Sequence, residues 1–233
     1  MIEVQDFSKQ YKNSFKISGI SFSVAPGKIT ALIGTNGSGK STIIKAICGF
    51  HYADGGIIKV SDGSTECNVL QNPSFALKSI GYLPEVSSLP EKLYTADFLT
   101  YAAKLHGIEP SKIDECVRNA VKKCGLSDVL TKRIRELSKG YKQRVNLSQA
   151  IIHNPSNLVL DEPVSGLDPL QISQLHKLLR DFSAKKSILI STHLLSEVQD
   201  LCDNVVIISR GRQLAFGNTV ELKSVMEAEF SEL

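Results

Sequence analysis

No Cys-x-x-Cys pair occurs in this sequence, and its five cysteines, Cys48, Cys67, Cys116, Cys124 and Cys202, are an odd number that suits no disulfide framework. Cys48, Cys116 and Cys124 fall at apolar positions of helical patterns, where a thiol acts as a small hydrophobe, so a reducing compartment is expected. Charge of one sign is also lacking. A net charge of +3 over 233 residues gives no electrostatic footprint for nucleic acid or an anionic membrane, and no nucleic-acid partner is expected. The basic group at Lys132, Arg133 and Arg135 reads as a solvated face. No apolar run approaches the roughly 20 residues that cross a bilayer. The start, MIEVQDFSKQ, carries no leader pattern, so a cytoplasmic location is expected. Repeats, low-complexity tracts and linkers are absent, and residues 1–233 read as a single domain, long enough to bury a core without staples.

What is present is an alternation of apolar runs and helical patterns. Residues 29–33, 158–160 and 187–190 are apolar without alternation, as strands covered on both faces are, and each is followed by a helical pattern. This predicts an α/β fold with a mostly parallel sheet between helices. One helix runs from about Lys40 to a stop at Gly49. Another runs from Asp168, a cap followed by Pro169, to about Ser183, with Leu175, Leu178, Leu179 and Phe182 on one face. Residues 1–28 and 52–70 carry short strands broken by turn residues, and 205–216 reads as a hairpin turning at Arg210-Gly211. These predict an antiparallel subdomain beside the main sheet. Residues from 86 to about 153 show no strand pattern and predict an inserted helical subdomain. Its helices are expected at 95–106, at 111–124 with a Ser111-x-x-Asp114 capping pattern, and from near Ser138 to before Pro155.

Residues 34–42 read Gly-Thr-Asn-Gly-Ser-Gly-Lys-Ser-Thr, directly after a strand and before a helix. This is the P-loop pattern of nucleotide-phosphate binding. Gly34, Gly37 and Gly39 are expected to take positive φ, so that the amides of the loop, Thr35, Asn36 and Ser38 included, face one concavity. The helix N-terminus adds partial positive charge. Lys40 reaches β- and γ-phosphates, Ser41 offers its hydroxyl to Mg²⁺, and Thr42 bonds an α-phosphate. The strand at 158–160 ends in Asp161-Glu162. Asp161 suits a magnesium ion, and Glu162 is placed to take a proton from attacking water. The third strand ends in Ser191-Thr192-His193. Ligands of open α/β sheets sit at the carboxyl ends of strands, and all three features fall there.

With Leu137-Ser138-Lys139-Gly140-Tyr141-Lys142-Gln143-Arg144 just upstream of the acidic strand, the sequence resembles the ATP-binding-cassette ATPases. Ser138 and Gly140 match that family's Leu-Ser-Gly-Gly-Gln signature, whereas Lys139 and Tyr141 depart from it. The order of phosphate loop, signature, acidic strand, Ser165-Gly166-Leu167-Asp168 and His193 matches throughout. The resemblance implies ATP and Mg²⁺ as ligands and a head-to-tail dimer with a second nucleotide-binding domain. Ser138 and Gly140 would touch the γ-phosphate held by the partner's loop, with Asp168 linking the two sites. It further implies Tyr11 stacking on adenine, His193 on the γ-phosphate and Glu162 as general base. Glu85 stands where the family usually has a magnesium-contacting glutamine. Its context, Pro84-Glu85, is similar to exporters of drugs, lipids or polysaccharides. A separate transmembrane permease subunit is therefore expected, holding the chain on the inner face of the membrane. A soluble cassette ATPase acting on DNA or ribosomes is the alternative, without the coiled coils or second cassette of such relatives. A phosphoryl-transferring kinase would leave Ser138–Arg144 and His193 unexplained.

Overall fold

The computed structural model describes residues 1–11, 15–86 and 88–230. In chain order the elements are β1 (Ile2–Gln10), β2 (Lys16–Val24), β3 (Ile29–Ile33), α1 (Lys40–Ile47), β4 (Gly55–Ser61), β5 (Glu66–Asn68), α2 (Pro73–Ser79), β6 (Ile80–Leu83), α3 (Thr95–Leu105), α4 (Ile113–Cys124), α5 (Lys139–Ile151), β7 (Asn157–Asp161), α6 (Pro169–Ser183), β8 (Ser187–Thr192), α7 (Leu195–Leu201), β9 (Asn204–Ser209), β10 (Arg212–Asn218) and α8 (Lys223–Phe230). The strands form one ten-stranded sheet in the order β5-β4-β1-β2-β10-β9-β3-β8-β7-β6.

The five strands from β9 to β6 are parallel. Every residue of β3, β7 and β8 is buried, as strands covered on both faces must be. Side-chain alternation divides the core. Ala31, Leu158 and Ile188 point to the face covered by α6, α7 and the helical insertion. Leu32, Val159 and Leu189 point to the face covered by α1 and the antiparallel strands.

Three expectations about these elements need correction. Strands β1, β2, β4 and β5 pair antiparallel as expected, but not as a separate sheet beside the main one. They continue it, through a single parallel bridge from Ser18 to Arg212 and the side chain of Gln213, which holds both the N–H and the C=O of Ser21. The hairpin at Arg210-Gly211 forms, but its first strand, β9, pairs in parallel with β3 and belongs to the core. Val205 to Ile208 are all buried, the mark of a two-sided strand; alternation is confined to β10. Ser111 does not cap α4. Pro110 fixes its own φ and starts a 3₁₀ turn over Pro110–Lys112, so Ser111 is already inside helical geometry and its hydroxyl donates to Glu109 Oε1 at 2.8 Å.

Among the described residues, 86–153 contain α3, α4 and α5 and no strand, as expected. The insertion is fastened to β6 by Gln149 Nε2 donating to the Tyr82 carbonyl at 3.2 Å and by His153, whose Nε2 lies 3.2 Å from the Ile80 carbonyl. His153 stacks on His106, the residue ending α3, with ring centroids 3.8 Å apart. Burial, and then the neighbouring His106, hold the His153 imidazole down at about 4. A depressed folded-state value contributes stability above the ordinary value near 6.5, and this is lost as pH falls through 4. Urea midpoints should therefore fall between pH 6.5 and pH 4, and His153→Gln, which keeps an N–H for Ile80, should show a shallower decline. An unchanged slope would remove His153 as the cause.

Candidate active site

The loop between β3 and α1 is shaped by three glycines with two different functions. Gly37 (φ 79°) and Gly39 (φ 113°) adopt left-handed backbone, as expected. Gly34 does not. It is glycine because a Cβ there would run into the Ile208 carbonyl oxygen and lie 2.6 Å from Ser38 Oγ. The loop is braced from inside by Ser38 N–H to the Thr35 carbonyl, 3.1 Å. From outside, the Gly211 N–H donates to the Ser38 carbonyl, also 3.1 Å. Helix α1 has no side-chain cap and no acid in its first turn, so its leading amides and dipole stay available to an anion.

Lys40 is buried, and its ammonium donates to the carbonyls of Gly34 (2.7 Å) and Thr35 (3.3 Å). Burial lowers its proton affinity, while Glu162, Asp161 and Glu85 push it back up. The lysine therefore already sits in the field of the carboxylates at the neighbouring strand ends.

Those ends are aligned by strand register. Ile33 lies opposite Thr192, and Asp161 opposite Ser191. Ser191 Oγ donates to Asp161 Oδ1 and accepts the Glu162 N–H at 3.0 Å; that N–H also reaches the Ser191 carbonyl at 3.2 Å. Glu162 has φ 48°, a strained value for a non-glycine residue. The turn carries its carboxylate to His193, whose Nδ1 lies 2.9 Å from Oε2.

One cleft of about 680 Å³ is lined by Tyr11, Asn36, Gly37, Gly39, Lys40, Ser41, Thr42, Glu85, Glu162 and His193. These are expected site residues from five separate stretches of chain. At its mouth the Tyr11 hydroxyl is 3.0 Å from Thr42 Oγ1. Thr35 and Ser38 line an adjoining cleft with Arg210 and Arg212. Asp161 lies just beneath, buried behind Glu162. Phe15 and Ser165 also line the cleft, and Ser191 orders both acids; none of the three has a role in the sequence reading. Phe15, an aromatic four residues after Tyr11, carried a usable signal. The pairings of Ser191 depend on register and carried none.

Ser138 and Gly140 are not part of this cleft. Ser138 caps α5, accepting the Tyr141 N–H at 3.4 Å. Gly140 is covered by Gln171, whose side chain leaves 2.7 Å for a Cβ. Lys139 lies along the turn before α6, its Cε 2.9 Å from where a Gly166 Cβ would stand. Gln143 Nε2 donates to the Pro163 carbonyl at 2.8 Å. Asp168 caps α6 through the Gln171 N–H, 2.9 Å, with Pro169 at the first helical position.

Among the described residues, no three His, Cys, Asp or Glu side chains converge closely enough to hold a metal by themselves. Of the residues expected at magnesium, Ser41 and Glu85 line the cleft, whereas Asp161 is buried outside its lining with Oδ1 held by Ser191; a magnesium ion that keeps waters and arrives with phosphate needs few protein oxygens.

The ABC transporter family model matches residues 17–165. An uncharacterised ABC transporter ATP-binding protein, YxlF of Bacillus subtilis, is 33% identical over 96% of this chain and 72% of its own length. The Nod factor export ATP-binding protein I of Rhizobium etli is 32% identical over 95% of this chain and 69% of its own. Among solved structures, cbiO1 of Clostridium perfringens, part of the ABC transporter complex cbiONQ, superposes with a TM-score of 0.85. It is 28% identical and covers 98% of this chain and 91% of its own.

Gly34→Ala separates close approach from backbone freedom in the phosphate loop. The added methyl should displace the loop from the Ile208 carbonyl, weaken nucleotide binding at least roughly tenfold and cost about 1–3 kcal/mol of stability. Calorimetric titration with nucleotide and urea unfolding test this, and wild-type affinity would show that the contact does not shape the loop.

Proposed function

The chain belongs to the ABC transporter family as an ATP-binding subunit, an ATPase coupled to transport, and from this we propose that it drives an exporter through ATP-dependent closure of a head-to-tail dimer. The observation that carries the reading is the convergence of Lys40, Glu162 and His193 on one cleft, with Glu162 and His193 2.9 Å apart.

The chemistry follows from the positions. Loop amides and Lys40 neutralise the β- and γ-phosphates, and Tyr11 with Phe15 receives the adenine. Ser41, Asp161 and Glu85 are the residues that would hold Mg²⁺, which would supply charge neutralisation for the phosphates. Glu162 takes the proton of the attacking water. His193, with Nδ1 on Glu162, has Nε2 left to meet the γ-phosphate. Water attacks phosphorus, the bond to the ADP oxygen breaks, and ADP, phosphate and one proton leave. In the family's head-to-tail arrangement, Ser138 and Gly140, at the dipole of α5, complete the partner's site, and Asp168 crosses between sites. Lys139, held on the Gly166 turn, adds a cation at that edge.

Among the described residues no helix is long and apolar enough to cross a membrane. A permease subunit that holds the chain at the inner membrane face is part of this reading, supported by the likeness to cbiO1, part of the ABC transporter complex cbiONQ. Export is supported by the likeness to the Nod factor export protein and by Pro84-Glu85. Purification from native membranes should bring down an integral protein with several spans; recovery with ribosomes or DNA instead would favour the soluble alternative.

Glu162→Gln should bind ATP, stall as a dimer on gel filtration and turn over at least ~100-fold more slowly, the scale of a lost general base. Adding Ser138→Arg to it should return the protein to a nucleotide-bound monomer. Normal hydrolysis by the first variant removes Glu162 as the base, and a persisting dimer in the second removes the signature from the interface.

A further inference from the structure

Helix α7 is only seven residues long and begins two residues after His193. It docks through Glu197, Val198 and Leu201. Two of these are apolar and join the main core. The third is a carboxylic acid only 3% exposed. Neither of its oxygens meets full hydrogen-bond geometry, although the Thr192 hydroxyl lies close enough to stabilise its charged form. An apolar side chain would fill the same space without desolvating a carboxyl, so Glu197 lowers stability where it stands.

The nearest basic atom is Nε2 of His176, on α6, at 3.9 Å from Oε1, and it too is buried without a hydrogen bond. Two orphaned groups of matching chemistry face each other just beyond bonding distance. A shift of about 1 Å between α6 and α7 would close the gap to a normal bond. Both helices start near the cleft: α7 starts beside His193 and α6 at Asp168, three residues after Ser165, and both His193 and Ser165 line it. The remaining charged surroundings are Glu162 and His193 on the site side, with Asp200 and Arg180 around His176. Burial first, with Glu162 beyond it, pushes Glu197 up to about 7, although the Thr192 hydroxyl and His193 pull the other way; burial lowers His176. Burial thus works against charge on both groups, and a neutral carboxyl O–H would donate to the imidazole nitrogen once the gap closed.

We propose that Glu197 and His176 are positioning residues, a buried acid–imidazole contact that closes when α6 and α7 take their catalytic seats and so sets His193 against Glu162 and the γ-phosphate. The proposal rests on the reading of Glu162 as general base. The fold keeps a destabilising acid because the apolar substitute would hold the two helices together without fixing their relative seating.

The test compares Glu197→Met, Glu197→Gln, His176→Leu and the Glu197→Met/His176→Leu pair in the full chain, or in its membrane complex where turnover requires it. Glu197→Met should raise Tm by about 2–4 °C, lower kcat about ten- to a hundredfold and leave KM for Mg-ATP within about twofold. Glu197→Gln, whose amide can still donate to His176, should keep kcat near wild type. His176→Leu should lose as much kcat as Glu197→Met, and the double variant no more than either. A more stable Glu197→Met with wild-type kcat overturns the proposal, as do additive losses in the double variant or a fall in Tm accompanied by loss of nucleotide affinity. If Glu197→Met does not fold, His176→Leu decides alone: unchanged kcat there overturns it. Glu162→Gln run in parallel keeps the two readings apart, since normal turnover by that variant would fault the site assignment itself.

Discussion

Parallel pairing of β3, β8 and β7 sets the ends of three strands level, and the site is built on that level edge. Ile33 faces Thr192 and Asp161 faces Ser191, so the phosphate loop, the two acids and the histidine leave the sheet side by side. A one-residue slip of β7 against β8 would part Asp161 and Glu162 from Ser191, because every side chain of the slipped strand would change face. The register is held by apolar burial on both sides, Leu32, Val159 and Leu189 against one layer and Ala31, Leu158 and Ile188 against the other. Chemistry at the edge is thus paid for in the core.

Much of this could be read from the residues alone. The buried strands, the loop from Gly34 to Thr42, the capped start of α6 and the helical insertion all carry local signals, such as glycine spacing, Asp168-Pro169 and runs without alternation. What could not be read depends on distant partners. Gly34 looks like its neighbours Gly37 and Gly39, yet its constraint is the Ile208 carbonyl, far along the chain. The membership of β9 in the parallel core depends on pairing with β3, although its unbroken Val-Val-Ile-Ile run was the available clue. Ser111 matched a capping pattern that Pro110 overrode. Glu197 and Asp200 lie three residues apart on one short helix, and only packing decides that the first is buried.

The signature segment is less isolated than its distance from the cleft suggests. Gln171 lies over Gly140, Lys139 runs along Gly166, and Ser138 caps α5 without contacting the cleft. The edge that the proposed dimer would use is therefore assembled from the insertion and from the turn before α6 together. Lys139, a departure from the usual signature, fits there because Gly166 has no side chain to obstruct it.

The hydrogen bond from Gln143 to the Pro163 carbonyl acts as a linkage rod. One end is fixed in α5, inside the insertion; the other grips the residue directly after Glu162. A single non-covalent joint therefore separates the helical insertion from the turn that carries Glu162. Where such a joint couples two sites, the coupling is reciprocal: whatever the insertion transmits to the turn after Glu162, that turn transmits back to the surface of the insertion.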